Sequence, residues 1–313
     1  MRVLGGAPAS VDVYYRQVSP QLLARVRQQW SARGLDLDRV WRATLGHIID
    51  DNALDDRPLG DSRPVDLLLL FDQAASWLGC LDIGVGCARR AIAAGHHPAL
   101  STEQLRALAA ILARLREEVA AVRLLALAGL AVPAMQIIRS ISEDVDMALV
   151  MLVRPKVARQ FVECRSPQEA GEFWKRHIAG GRAFRTVAEQ LYRIGLDWSE
   201  GSSYALWRNE VQVLLGAAVH TSYLGSAVQA APGGSLGAAA QECLHFATLR
   251  LQEMCVYSLM LGQALRHDLT AGLACADQTE KPLVRVALEG GAIFLDQMRW
   301  LVAVGEDDRV ALN

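Results

Sequence analysis

The chain has 313 residues, of which 52% are hydrophobic, and a formal net charge of −2. Such a chain can bury a substantial core in one large domain or two smaller ones, and it is too apolar to stay unfolded throughout. The charge balance and the lack of a basic block argue against a dedicated nucleic-acid groove, although a local arginine cluster can still grip RNA.

Taken in order, residues 1–18 read as an irregular lead-in. Ser19-Pro20 starts the first helix, with serine at the N-cap and proline at the first helical position. Leu22, Leu23, Val26 and Trp30 form its apolar stripe, and Gly34 stops it. A second helix over about 38–49 carries Val40, Trp41, Leu45 and Ile48 and runs into an acidic loop, Asp50-Asp51-Asn52-Ala53-Leu54-Asp55-Asp56. Ser62-Arg63-Pro64 opens a third helix that runs to about Cys80. Gly84 and Gly86 weaken the pattern, and a second piece ends at Gly95-His96-His97-Pro98. Residue 98 is the predicted boundary between an N-terminal helical region, 1–98, and a helical bundle, 99–313.

Ser101-Thr102-Glu103-Gln104 has the pattern of a capping box. Leu105, Leu108, Leu112, Leu115, Val119, Val122 and Ala126 follow at 3-4 spacing, which suits a bundle helix or a left-handed coiled-coil seam. Arg106, Arg114, Arg116, Glu117 and Arg123 are expected on the outer face. The next helical stretch, Leu130–Cys164, breaks at Arg154-Pro155. Ser166-Pro167-Gln168-Glu169 is a further capping box, Gly180-Gly181 a break, and a helix over 182–194 ends at Gly195. Residues 204–229 are helical and residues 231–235 form a flexible joint. Two last helices span about 236–267 and 282–304. No run alternates as a strand would. The predicted fold is all-α, a multi-helix bundle of long antiparallel helices with an N-terminal helical extension.

The six cysteines form no Cys-x-x-Cys and stand in apolar helical settings. They read as reduced core residues rather than disulfides or zinc ligands. The N-terminus lacks the apolar run of a signal peptide, and the most apolar stretch, 65–71, holds Asp66 and is followed by Asp72, far short of a membrane span. A cytoplasmic protein with no membrane partner is expected.

The most loaded polar feature lies on the helix after Leu130. At about 100° per residue, Ile137, Ile138, Ile141, Val145, Ala148 and Leu152 share an apolar arc, and Arg139, Glu143 and Asp146 border it. On a later helix His220 shares a face with Asn209, Val213, Gly216 and Ala217. Arginine can hold a phosphate bidentately, histidine can move a proton, and a carboxylate can orient either. The candidate catalytic set is Arg139, Glu143 and His220, with no cofactor and no metal set. The same residues also suit a purely structural network between helices. The acidic loop 50–56, preceded by His47, is similar to the aspartate-rich magnesium-diphosphate motif of isoprenoid synthases. The second motif of those enzymes is missing, and the loop reads as a solvated turn. His96-His97 has no carboxylate or cysteine beside it at ligand spacing and reads as a loop that ends a helix.

The stretch from Leu130 to Phe161 resembles the signature of an uncharacterised bacterial all-helical family in the HEPN-like group. The matching elements are Gly129 with Ala134, Arg139-Ser140-Ile141-Ser142-Glu143, the restart at Arg154-Pro155, and Ala158 with Phe161. Leu215-Gly216-Ala217-Ala218-Val219-His220-Thr221-Ser222 is similar to the family's Leu-Ser-x-x-Val-His-x-Ser element, with Gly216 in place of the serine. The resemblance covers about residues 101–267. It implies an RNA-cleaving, toxin-type effector in bacterial stress or phage defence. It also implies RNA as substrate, and a homodimer or another protein of the same system as partner. The usual HEPN motif is arginine, four to six residues, then histidine. Arg208-Asn209 begins it, but His220 comes too late. Arg42 with His47 and Arg90 with His96 have the spacing, yet 29 arginines and 7 histidines yield about two such pairs by chance. The alternatives are a non-enzymatic helical interaction module and, more distantly, an isoprenoid-synthase-like enzyme.

Overall fold

Local signals set where the helices begin. In the computed structural model Gln104 N donates to Ser101 Oγ (3.2 Å) and Ser101 N to Gln104 Oε1 (3.0 Å), which closes the capping box. The Ser166–Glu169 box closes in the same way, with Pro167 at the first helical position. Ser19 caps the helix that Pro20 begins. The structure describes residues 10–46, 48–49, 63–195 and 236–298, and residues 206, 209, 210, 213, 215, 216 and 219.

The helices are α1 (Val11–Tyr14), α2 (Pro20–Ser31), α3 (Leu37–Leu45), α4 (Arg63–Ala93), α5 (Thr102–Leu127) and α6 (Ala131–Val153). They continue with α7 (Pro155–Glu163), α8 (Pro167–His177), a 3₁₀ turn (Ala179–Gly181) and α9 (Arg182–Arg193). The last are α10 (Ala238–Leu261), α11 (Gln263–Cys275) and α12 (Lys281–Glu289), after which residues 291–298 are also helical. No strand occurs among the described residues. The fold is an all-α multi-helix bundle.

Pairs of facing residues give the directions. Asp72 meets Arg123 and Asp82 meets Arg116, so α4 and α5 run antiparallel. The start of α5 meets the end of α6, where Gln104 Nε2 donates to the carbonyls of Met151 (2.8 Å) and Leu152 (2.9 Å). Proline has no N–H, so Pro155 cannot satisfy the Met151 carbonyl, and the buried Gln104 amide does so instead. The pairs α4–α5 and α5–α6 are thus antiparallel. By contrast α6 and α10 run parallel, with Ala131 near Cys243 and Asp146 on Arg250.

Several features differ from what the sequence predicts. The described part of the lead-in is folded onto the bundle: Val11, Tyr14 and Tyr15 are buried, and Val11 N donates to Asp38 Oδ1 (2.8 Å). The third helix is one helix of 31 residues. Gly84 does not break it. A side chain there would lie 2.8 Å from Leu269 Cδ2, so the missing Cβ lets α11 pack closely. Gly272 serves the same crossing from the other side, where a Cβ would stand 2.7 Å from the Ala88 backbone nitrogen. The expected helix 236–267 is divided at Gly262 into α10 and α11. Finally, Arg123 faces inward and is 0% exposed. A polar residue at that spacing ordinarily faces water, but here Asp72 on α4 waits for it.

One hydrophobic core runs from Val11 to Met298, on both sides of residue 98, which lies in the α4–α5 connection. The heptad residues Leu105 to Ala126 are all buried within this core. The seam is used inside the chain and is not left for a coiled coil with a second copy. Among the described residues α4 is the one helix long and apolar enough to cross a membrane, and 89% of its most apolar window is buried inside the protein. All six cysteines are free. Four are buried, Cys164 is half-buried and Cys275 is exposed, so the expected core role fails for Cys275.

Candidate functional site on helix α6

Helix α6 carries three polar pairs, and they point in different directions. Ser142 and Asp146 face α10. Arg250 Nη2 donates to Asp146 Oδ1 (2.6 Å) and to the Ser142 carbonyl (3.2 Å), while Arg250 Nη1 donates to Glu253. Arg250 and Glu253 are almost completely buried. Burial, and then the neighbouring Asp146, push the Glu253 carboxyl well above the usual carboxylate range. This cluster ties helices together. Asp146 therefore leaves the stripe it was read to share with Arg139 and Glu143.

Arg139 and Glu143 stay at the surface. Their side chains are each 31% exposed, and Arg139 Nε lies 3.6 Å from Glu143 Oε1. Trp174 of α8 donates its indole N–H to Glu143 Oε2 (3.2 Å). Gly216 lies against the arginine: a Cβ on it would stand 2.9 Å from Arg139 Nη1. The segment that carries His220 in the sequence thus reaches Arg139 by way of Gly216. His220 itself lies outside the described residues, as do Arg208, His47 and the acidic loop 50–56.

A third group lies one turn around the helix and was not legible in the spacing. Ser140 Oγ donates to Glu118 Oε1 (2.8 Å) and accepts from Arg114 Nη2. Arg114 Nε is 2.9 Å from Glu118 Oε1 and 3.1 Å from Asp144 Oδ2. Burial raises the Asp144 carboxyl to about 7, Arg114 opposes the rise, and Glu118 and Glu143 add to it. Ser140 and Asp144 are the neighbours of Arg139 and Glu143 in sequence, so the missing clue was the pair Arg114 and Glu118 on α5.

The raised Asp144 carboxyl has a consequence for stability. Between about pH 4 and pH 7 the folded chain holds a proton here that the unfolded chain has lost. Stability therefore falls as pH rises through that window and levels off above it. Asp144→Asn should flatten this part of the stability–pH curve and leave stability at pH 8 no lower than in the parent. Urea denaturation at pH 5 and pH 8 checks it, and an unchanged slope would mean that another group carries the titration.

A separate group was brought together by tertiary packing alone. Ligand atoms of His96, His267 and Asp268 lie within 4.8 Å of one another at the end of α4 and the start of α11. The other buried ion pair, Arg123 with Asp72, is bonded to Tyr14 and Tyr15 and sits in the core. It has no access to a substrate.

No protein-family model, curated protein sequence or solved structure matches the chain. The fold and the site define an all-α bundle with a mixed-charge surface cluster on α6.

Proposed function

We propose that the chain is an RNA-directed, HEPN-like helical effector of the toxin type, cytoplasmic and acting in bacterial stress or phage defence. In this reading Arg139 binds the phosphodiester, Glu143 holds the guanidinium in place, and His220 moves the proton. The observation that supports it most is the charge of the segment that brings Trp174 to Glu143. Residues 154–195, which cover α7 to α9 and include Trp174, hold nine basic and four acidic side chains, all exposed, on a chain whose total charge is −2. Arg159, Arg165, Lys175, Arg176, Arg182 and Arg185 are among them. A net +5 segment that reaches the site through Trp174 attracts a polyanion and raises its concentration near Arg139. Cations spread through three helices do not form a run in the sequence, which is why composition alone argued against a nucleic-acid surface.

A second reading, the helical interaction module, rests on a different observation. Of the eleven large apolar side chains exposed among the described residues, six lie between Trp174 and Val219. Tyr192 and Val213 are the most open, at 72% and 68%. Such a surface suits a protein partner or a second copy.

One set of measurements separates the two. The purified chain should bind single-stranded RNA with an affinity that falls steeply as salt is raised, and should cleave it without added metal. Sedimentation of the same sample reports the assembly state. A chain that neither binds nor cleaves RNA at low salt, yet sediments as a dimer, would leave the interaction module in place of the nuclease.

A further inference from the structure

We propose that His96, His267 and Asp268 form a binding site for a divalent transition metal of the zinc or nickel type. The site would clip the α4–α5 connection to the first turns of α11. It is independent of the α6 site and of any activity on RNA.

The carboxylate is the fixed element. Asp268 is 1% exposed. Its Oδ1 accepts from Ala99 N (2.8 Å) and its Oδ2 from Leu100 N (2.9 Å), so the loop after Pro98 is tied to α11 before any ion arrives. His267 Nδ1 lies 3.1 Å from Asp268 Oδ1. His96 enters from the other element, its ring stacked on that of His267 with centroids 5.3 Å apart and planes 28° apart. Ionised carboxylates offer about four lone-pair directions, and the bonds named here use three of them. One lone-pair direction of the carboxylate is left for an ion.

Two imidazoles and one carboxylate are a borderline donor set. They suit zinc, nickel, cobalt or copper, whereas magnesium and calcium prefer oxygen alone. With bonds near 2.0–2.1 Å in a tetrahedral shell, ligand atoms stand about 3.3 Å apart. The present atoms lie within 4.8 Å, so the shell closes if they draw in by up to about 1.5 Å. Both imidazoles are exposed and can rotate, while the aspartate need not move. Three protein ligands leave at least one position for water, so the site holds its metal openly rather than in a sealed cage.

Along the chain no carboxylate stands near His96-His97. Asp268 lies 170 or more residues away along the chain, and only the packing of α11 on α4 brings it close.

The test uses the full chain without an affinity tag, titrated with zinc or nickel salt alone in a calorimeter, and in parallel a thermal melt with and without the metal. One equivalent should bind per chain, and the melting temperature should rise because the ion ties two elements that separate on unfolding. His96→Ala and His267→Ala should each weaken binding roughly tenfold or more and remove the thermal shift. Both side chains are exposed, so the metal-free melting temperature of either variant should match the parent. Asp268→Asn serves as a second probe, and its metal-free melt separates loss of the loop bonds from loss of the ligand. No binding by the parent would overturn the proposal. So would one equivalent bound equally well by the parent and by the His96→Ala/His267→Ala double variant, since the ion would then sit elsewhere.

Discussion

Arg250→Ala should lower the free energy of unfolding by about 3–5 kcal/mol, one of the largest effects of any single change in this protein. Arg250 is the cation between Asp146 and Glu253, and the removal leaves two carboxyl groups in a site closed to water. It also frees the Ser142 carbonyl, which accepts from the same guanidinium. The size of the effect comes from the stranded partners rather than from the attraction itself, because taking the ions out of water already cost most of what their pairing returns. Two companion variants make this visible. Glu253→Gln should cost less than Arg250→Ala, since burial and Asp146 both oppose a charge on the Glu253 carboxyl and the amide keeps its shape. Arg250→Met should cost less than Arg250→Ala, because it fills the same space. Chemical denaturation of the three variants is the measurement. Equal losses for all three would show that packing, and not stranded charge, governs the cluster.

The second large effect concerns the α6 site and rests on the proposed activity. Arg139→Ala should reduce RNA cleavage by roughly 10²–10³-fold, the usual loss when a charged group that stabilises a transition state is removed. His220→Ala should reduce it by about 10²–10⁴-fold as the loss of a general acid or base. Arg139→Ala should change stability by less than about 1 kcal/mol, because the Arg139–Glu143 pair is a third exposed and its atoms are 3.6 Å apart. The contrast with Arg250 is the informative part. Both are arginines that face carboxylates near α6. One is sealed in the core and should report on stability, while the other is open and should report on activity. Arg139→Ala with full cleavage would remove Arg139 from the site. Loss of several kcal/mol in the same variant would make the pair structural.

The two arginines also mark how far a sequence can be read. Periodicity placed Arg139, Glu143 and Asp146 on one border of an apolar arc. It did not tell that Asp146 turns into the core, because that depends on Arg250 being on the facing helix, 104 residues away. Arg123 is the same case. Its spacing on α5 put it outside, yet it lies in the core beside Asp72. A buried charge is tolerated only where a partner is waiting, and nothing within one helix reveals the partner.

What the sequence by itself determined was local. Helix starts at Ser19-Pro20, Ser101 and Ser166 depend on side chains that bond to backbone three residues away. The breaks at Gly34 and Gly195 depend on a positive φ, 63° and 87°, that glycine adopts freely. The all-α class and the apolar seam of α5 follow from repeats shorter than two turns. Tertiary structure decided the rest. It decided that Gly84 serves a close helix crossing instead of ending a helix, and that α6 and α10 run parallel. It also placed Ser140 and Asp144 beside Arg114 and Glu118, and His96 beside Asp268. In each case the energy belongs to a contact between helices, and it exists only once two distant stretches of chain have been packed against each other.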